Sequence, residues 1–222
     1  SIAPSQFSTC AAPSRSIRYP PRARPVTTRR VLVLASASPR RADLLRSAGI
    51  AFTVAPVDAD ERELPGEAPP AYAARVARSK AALAVPPHPG AVILAADTTV
   101  FLDRAGPPLG KPGDRQAARA LLRALSSAPC HFVTTAFVLA DSRGPHVTWL
   151  SRQVTTEVRM RSLADDELGA YLDSDEWRDK AGGYGIQGRA AGLVTGITGS
   201  YTAVVGLPLA ELLIALRELG VA

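Results

Sequence analysis

Two arginines that follow a Ser-Pro dipeptide are the first residues in this chain whose types and spacing suggest chemistry. Arg40 and Arg41 come directly after Ser38 and Pro39. Serine is favoured as the N-cap of a helix and proline at its first position, so both arginines would lie in the first helical turn. The helix dipole already makes that end positive, which disfavours cations unless an anion binds there. The pattern fits a phosphate site, although two solvated arginines would also fit it.

Asp97 and Glu61 are the carboxylates best placed for acid–base chemistry or metal binding. Asp97 follows the apolar run 91–96, which is typical of a strand covered on both faces, and open α/β sheets place ligand crevices at the ends of such strands. Glu61 closes the acidic run 58–61. Either carboxylate could hold a divalent ion or accept a proton. The alternatives are a capping role for Asp97 beside Thr98 and a solvated acidic loop for Glu61.

Two lysines and a glycine-rich loop add groups that could bind a nucleotide. Lys80 lies in an alanine-rich predicted helix and Lys111 in a loop; each could balance phosphate charge, or could be an ordinary surface lysine. The loop 179–188 has four glycines, which permit close approach of a ligand to the backbone. Gln187 could pair with the edge of a base, or could be a structural residue of a tight turn. The sequence contains no Walker A motif, GxGxxG fingerprint or nucleophile elbow.

Alternating strands and helices are predicted to position these residues. The chain has 222 residues, of which 46% are hydrophobic, enough for a sizeable core. Gly49 should end the first helix, and Ser162 should cap the fourth. Apolar runs and capping signals predict strands at about 31–35, 52–56, 91–96, 131–140 and 146–160, helices at 39–48, 70–84, 114–125, 162–172 and 209–219, and strand-like segments at 192–206. We therefore expect a mixed α/β body without internal repeats, bounded near residue 30.

The net charge of +6 resides in the first 30 residues, which contain six arginines and no acidic residue. Residues 31–222 carry equal numbers of basic and acidic groups, so we predict no nucleic-acid partner. We expect residues 1–30 to be a disordered basic tail. Its composition resembles an organellar transit peptide, and a remnant of an expression vector would be an equal alternative.

The remaining composition argues against several classes of protein. The two cysteines and three histidines do not have metal-ligand or disulfide-framework spacing, which fits a reducing compartment. No run of 18 apolar residues occurs, so we expect no membrane span and no membrane partner. The expected location is cytoplasmic, or plastid or mitochondrial if residues 1–30 are a transit peptide.

Five segments of the sequence resemble, in the same order, motifs of the Maf family of nucleoside triphosphate pyrophosphatases. They are Leu34-Ala35-Ser36-Ala37-Ser38-Pro39-Arg40-Arg41, Ala96-Asp97-Thr98, Lys111-Pro112, Asp179-Lys180-Ala181-Gly182 with Tyr184-Gly185-Ile186-Gln187-Gly188, and Gly199-Ser200-Tyr201 with Val205-Gly206-Leu207-Pro208. The Tyr-Gly-Ile-Gln-Gly and Gly-Ser-Tyr pieces resemble the branch that acts on dTTP and UTP. One departure is Gly110, which stands where many members have an acidic residue before Lys-Pro.

The resemblance implies that residues 31–222 form a nucleotide pyrophosphatase domain. Its fold would be an elongated, two-lobed α/β fold around a curved mixed sheet, of the Maf and inosine triphosphatase type, with a cleft between the lobes. The implied reaction is hydrolysis of dTTP, UTP and modified pyrimidine analogues to the monophosphate and pyrophosphate, by metal-assisted attack of water on the α-phosphorus. Mg²⁺ or Mn²⁺ is the implied cofactor, and a homodimer is the implied assembly.

The matched positions imply a role for each candidate residue. Asp97 would accept a proton, and Asp97 and Glu61 would hold the metal. The residues implied to contact phosphate are Ser36, Ser38, Arg40, Lys80 and Lys111, and those implied to select a pyrimidine are Arg41, Thr98 and Gln187.

Two competing hypotheses remain. One is a nucleotide-binding regulator of cell division without essential catalysis; the intact set of Asp97, Glu61, Lys80 and Lys111 favours the enzyme instead. The other is a purine-directed pyrophosphatase of similar fold, against which Gln187 argues only through the resemblance.

Overall fold

The computed structural model describes residues 32–103 and 106–221, and within them six strands form one mixed sheet in the order β2-β1-β3-β4-β5-β6. β1 runs parallel to β2 and β3, and the remaining neighbours are antiparallel. The strands are β1 (Leu32–Leu34), β2 (Thr53–Val54), β3 (Val92–Phe101), β4 (His131–Asp141), β5 (Thr148–Met160) and β6 (Val194–Thr198). The predicted α/β class with a mixed sheet is confirmed. The tail predicted at 1–30 lies outside the described residues.

Helices pack on both faces of this sheet. They are α1 (Pro39–Ser47), α2 (Pro69–Ala84), α3 (Arg115–Ser127), α4 (Asp165–Leu172), α5 (Tyr201–Val205) and α6 (Leu209–Glu218), with short 3₁₀ turns at Ala181–Gly183 and Arg189–Leu193. Pro39 starts α1 as predicted, and the backbone N–H of Gly49, at φ 70°, returns to Arg46 O at 2.9 Å to end it. Asp114 caps α3 by accepting from the N–H of Ala117 at 2.8 Å. No helix among the described residues is both long and apolar enough to cross a bilayer.

The core has two layers, one on each side of β3. On one side, small buried residues of α2, among them Ala73, Ala77 and Ala81, pack against Ile93 and Ala95. On the other side, larger residues of the other helices, such as Leu45, Leu122, Leu168 and Leu212, join Leu94 and Phe137. β3 is therefore covered on both faces, which explains why its first residues are continuously apolar.

Three local predictions were wrong. β3 continues through Phe101, so Asp97 lies inside the strand rather than at its end; Thr98 and Thr99 are buried or half-buried, and β-branched residues suit a ladder. Residues 201–205 form a short helix instead of a strand, because the Ser200 hydroxyl accepts from Ala203 N and caps it. The N-cap of α4 is Ala164, not Ser162: the Glu167 carboxylate accepts the Ala164 N–H at 3.1 Å.

Candidate active site

A cavity of about 850 Å³ opens where β1 ends beside β3. β1 pairs with β3 only as far as Leu34 opposite Leu94, whereas β3 continues to Phe101. Beyond Leu94, within the described residues, the edge of β3 that faces β1 has one further backbone pairing, an isolated bridge between Val100 and Leu109. All ten candidate residues line this cavity: Ser36, Ser38, Arg40, Arg41, Glu61, Lys80, Asp97, Thr98, Lys111 and Gln187. The structure thus brings together residues from 36 to 187.

Lys80 joins the two candidate carboxylates. Its Nζ, on α2, lies 2.8 Å from Oδ1 of Asp97 and 2.6 Å from Oε1 of Glu61. Lys80 and Asp97 are buried, whereas the Glu61 side chain is 42% exposed at the cavity mouth. Lys111 lies further out, with its Nζ 3.9 Å from Oε2 of Glu61. The Lys80 ammonium group therefore pairs with both carboxylates, the buried one of Asp97 and the exposed one of Glu61.

The two carboxylates differ in how readily they take up a proton. Burial raises the pKa of Asp97, while the charges of Lys80 and Arg41 act in the opposite direction. Partial burial also acts to raise the pKa of Glu61, but the hydrogen bond and charge of Lys80, with Lys111 and Arg41, outweigh it and leave that pKa below its usual value. Asp97 is consequently the better proton acceptor of the two, and Glu61 stays ionised.

Arg41 lines the cavity, and its guanidinium is hydrogen-bonded to three acceptors of the protein. Its Nε donates to Gly206 O at 2.8 Å, one terminal nitrogen donates to Ser36 Oγ at 3.0 Å, and the other to Thr98 Oγ1 at 3.1 Å. The side chain is buried, unlike that of Arg40, which is half-buried at the cavity wall. Arg41 uses its three nitrogens to join α1, β3 and the turn after α5, and the interpretation of both arginines as phosphate ligands at the helix start stays a prediction.

A chain of hydroxyl groups continues from Arg41 through the sheet. Thr135 donates to Ala203 O at 2.6 Å, and its Oγ1 lies 2.8 Å from that of Thr98. Because the proton of Thr135 is used on a carbonyl, Thr98 must donate to Thr135 and accept from Arg41. The hydroxyl protons of Thr98 and Thr135 are thereby both assigned. Thr135 was not predicted, since nothing local marks a threonine in an apolar strand as the partner of a threonine 37 positions away. Gly206 lies in one of the family motifs, but no local signal shows that its carbonyl accepts from Arg41.

Side-chain alternation along β3 separates these two networks. Asp97 shares the face of Ile93 and Ala95, against which α2 packs, and so meets Lys80. Thr98 shares the opposite face and so meets Arg41. Adjacent residues of one strand therefore present a carboxylate and a hydroxyl to different sides of the same cavity.

The predicted glycine-rich loop forms another wall of the cavity. Lys180 and Tyr184 line it together with Gln187, although neither was among the candidate site residues. The Lys180 stem lies so close to Gly185 that a Cβ there would be 2.8 Å from Lys180 Cε. The combination of a lysine with glycines five and eight positions later was the available signal for a tightly packed loop.

A buried histidine contacts this loop through Tyr184. His131 is fully buried, and its Nε2 lies 2.7 Å from the hydroxyl of Tyr184. Burial lowers the pKa of His131 to about 4, so the ring is neutral near pH 7. Burial also raises the pKa of Tyr184, which keeps its hydroxyl protonated. The pair is an uncharged contact between the start of β4 and the loop.

The donor set suits a divalent ion that arrives with a phosphate ligand. Among residues 32–103 and 106–221, no three His, Cys, Asp or Glu side chains come together to form a resident metal site. Asp97 and Glu61 nevertheless place carboxylate oxygens around Lys80 Nζ. Mg²⁺ is commonly bound by one or two carboxylates, substrate phosphates and water. These two carboxylates fit that arrangement.

Comparisons with known proteins point in one direction. The family model described as Maf-like protein matches residues 31–219. A dTTP/UTP pyrophosphatase of Roseobacter denitrificans is 47% identical over 182 residues, covering 82% of this chain and 93% of that protein. Proteins of the same name from Anaeromyxobacter dehalogenans and Myxococcus xanthus are also 47% identical, covering 85% and 86% of this chain and 94% and 93% of those proteins. The match spans the sheet and every wall of the cavity.

Proposed function

The chain belongs to the Maf family, and on that premise we propose that it hydrolyses pyrimidine nucleoside triphosphates to the monophosphate and pyrophosphate. dTTP and UTP are the proposed substrates, together with modified analogues of these pyrimidines. Two findings support the proposal: relatives 47% identical to this chain bear the name dTTP/UTP pyrophosphatase, and the candidate residues converge on one cavity.

The observation that carries the chemistry is the cluster of Lys80, Asp97 and Glu61. A buried carboxylate with a raised pKa beside a cation is suited to take a proton from water. In the proposed reaction, Asp97 accepts a proton from water as the water oxygen bonds to the α-phosphorus. The bond from that phosphorus to the oxygen bridging it to the β-phosphorus breaks, and pyrophosphate leaves with the bonding electrons.

Cationic side chains at the cavity wall stabilise the charge on the leaving pyrophosphate. Lys111 is exposed near Glu61, and Arg40 is half-buried beside Ser38. Both line the cavity, so both can meet a triphosphate held there. Preorganised cations of this kind act where negative charge develops in the transition state.

Asp97 and Glu61 are proposed to hold Mg²⁺ or Mn²⁺ when the nucleotide binds. A bound divalent ion would neutralise phosphate charge and lower the pKa of water in its coordination sphere. Lys80 Nζ contacts one oxygen of each carboxylate, Oδ1 of Asp97 and Oε1 of Glu61, so an ion could be met by the second oxygen of each. The triphosphate would offer Lys80 a further anion, which keeps the charges of the cavity paired.

Base selection is proposed to reside in the part of the cavity lined by Arg41, Thr98 and Gln187. Gln187 is exposed there, and its amide can both donate to and accept from the edge of a pyrimidine. Arg41 and Thr98 lie in one hydrogen-bonded chain, which fixes the shape of the wall opposite the α2 side. A site built to hydrogen-bond a particular base edge rejects bases that leave those groups unpaired.

Pyrophosphate release from a panel of nucleotides, with Mg²⁺ or Mn²⁺, tests the proposal. We expect turnover of dTTP and UTP, and its loss in Asp97→Asn, which keeps the size of the side chain but removes the base. Asp43→Asn is the matched control, since Asp43 is an exposed carboxylate paired with Arg46 outside the cavity. Nucleotide binding without any turnover would support a regulator instead, and preferential turnover of purine nucleotides would overturn the assignment of the base.

A further inference from the structure

Two side chains of residues 174–180 contact the segment 185–189, which carries Gln187. The Oε2 atom of Glu176 accepts a hydrogen bond from the backbone N–H of Arg189 at 2.8 Å. Lys180 lies against Gly185 with its stem, and its Nζ donates to the backbone carbonyl of Glu176. The two contacts bracket Gln187, one on each side of it along the chain. They also form a single unit, because Lys180 bonds to the residue that makes the other contact.

The contact of Glu176 with this segment requires glycine at position 188. A Cβ on Gly188 would lie 2.1 Å from Glu176 Oε2, a distance at which the carboxylate must move. The φ of Gly188, −99°, lies outside the left-handed region that favours glycine. The contact shows that glycine is needed here for the space that it leaves to the carboxylate.

Gln187 has no comparable support for its own side chain. It is exposed at the cavity, and its amide makes no hydrogen bond to the residues that the structure describes. The direction of this amide consequently depends on where the backbone on either side is held. That backbone is held by Gly185 packing on Lys180, by the bond from Gly188 N–H to Gly185 O at 3.0 Å, and by the bond from Arg189 N–H to Glu176.

We propose that Glu176 is a positioning residue for base selection, which acts by fixing the backbone next to Gln187. The inference rests on the proposed function, in which Gln187 contacts the base. Hydrogen-bond readout depends on placing donor and acceptor within a narrow range of distance and angle. Loss of the Glu176 carboxylate removes the side-chain support of the backbone at Arg189 and widens the range of positions open to the Gln187 amide, while the carboxylate cluster around Lys80 is untouched.

Steady-state kinetics of Glu176→Ala with UTP and GTP test this inference. We expect the ratio of kcat/KM for UTP to that for GTP to fall by about tenfold, the effect of one lost hydrogen-bond readout. The change should reside mainly in the KM for UTP, since the reacting groups are unaltered. Glu176→Gln keeps an acceptor oxygen for the Arg189 N–H and should retain most of the ratio. The control is Glu218→Ala, which removes an exposed carboxylate paired with Arg152 outside the cavity.

A double-mutant cycle separates positioning from a general loss of structure. In a Gln187→Ala background, Glu176→Ala should produce no further change in the UTP to GTP ratio, because the residue through which it acts is absent. Gly188→Ala should displace the carboxylate and reproduce the effect of Glu176→Ala. If Glu176→Ala fails to fold, Gly188→Ala carries the same cycle.

The outcomes distinguish this inference from the function on which it rests. If Gln187→Ala alters the ratio but Glu176→Ala and Gly188→Ala do not, the inference is overturned and the proposed function stands. Additive effects of Glu176→Ala and Gln187→Ala would also overturn it. If Gln187→Ala leaves the ratio unchanged, or no nucleotide is hydrolysed, the proposed base readout fails and the inference fails with it.

Discussion

The Nζ atom of Lys80 lies 2.8 Å from Oδ1 of Asp97, and both side chains are buried. The charge of Lys80 lowers the pKa of Asp97 against the effect of burial. Lys80 thus has two effects on the proposed reaction. Its charge favours the ionised form of Asp97, the form that a proton acceptor needs, and it is available to a phosphate when the nucleotide arrives.

Replacing Lys80 by methionine should change the pH dependence as well as the rate. Without the ammonium group, the pKa of Asp97 rises further, so the acidic limb of the kcat/KM profile should move to higher pH. We expect kcat to fall by about a hundredfold, as for loss of one stabilising group in the transition state. The measurement is a pH profile of UTP hydrolysis for both proteins. An acidic limb that moves to lower pH, or not at all, would show that Lys80 does not influence the base.

Chelation should abolish activity without destabilising the protein. The described residues form no resident site of three or more carboxylate, histidine or cysteine ligands, and the proposed ion is completed by the nucleotide. EDTA should therefore stop pyrophosphate release and leave the thermal unfolding midpoint unchanged, and added Mg²⁺ should restore turnover. A midpoint that drops on chelation would reveal an ion bound by the folded protein alone.

Thr135→Val should weaken UTP binding through Thr98 and Arg41. The hydroxyl of Thr135 accepts from Thr98 and donates to Ala203 O, so its removal leaves buried groups unpaired. We expect a loss of about 1–3 kcal/mol in unfolding free energy and a higher KM for UTP. Thr134→Val is the matched control, because Thr134 is equally buried and bonds to Thr155 away from the cavity. It should lose comparable stability and retain the KM of the original protein.

His131 should make the protein sensitive to mild acid. Its pKa is about 4 in the folded state, against 6.5 for an unperturbed histidine, so the unfolded chain takes up the proton first. The contribution to stability is constant above about pH 6.5 and is lost as the pH falls from there towards 4. Denaturant unfolding of His131→Gln should show a weaker loss over that range. His146→Gln, at an exposed histidine, should behave like the original protein.

Local motifs were enough to identify ten of the residues that line the cavity, because most of these motifs combine a chemical group with a loop or helix start. Ser36 to Arg41 sit where a strand meets a helix, and this boundary was predictable from Ser38 and Pro39. Gln187 was identifiable from its glycines. Such positions are set by backbone propensity, which a sequence displays directly.

The connections between these groups were not predictable, because they are tertiary. The sequence placed Asp97 at the end of β3, yet its position inside the strand follows from pairing with Ala136 on β4. It offered Arg41 as an anion ligand but gave no sign of the bonds that its guanidinium donates to Gly206 O and two hydroxyls. Residues 201–205 looked like a strand from their β-branched residues, and a single cap at Ser200 outweighed that propensity.

The backbone of Asp97 is held in the ladder of β3 and β4. Gln187, in contrast, lies on an exposed segment that is contacted by the Glu176 carboxylate and the Lys180 side chain. Asp97, which we propose accepts the proton, and Gln187, which we propose contacts the base, consequently have separate structural supports. Residues 174–189 can then change between related chains without disturbing the ladder that holds Asp97. Grafting that segment from a relative with another nucleotide preference would change the part of the preference that Gln187 carries and leave the reaction intact.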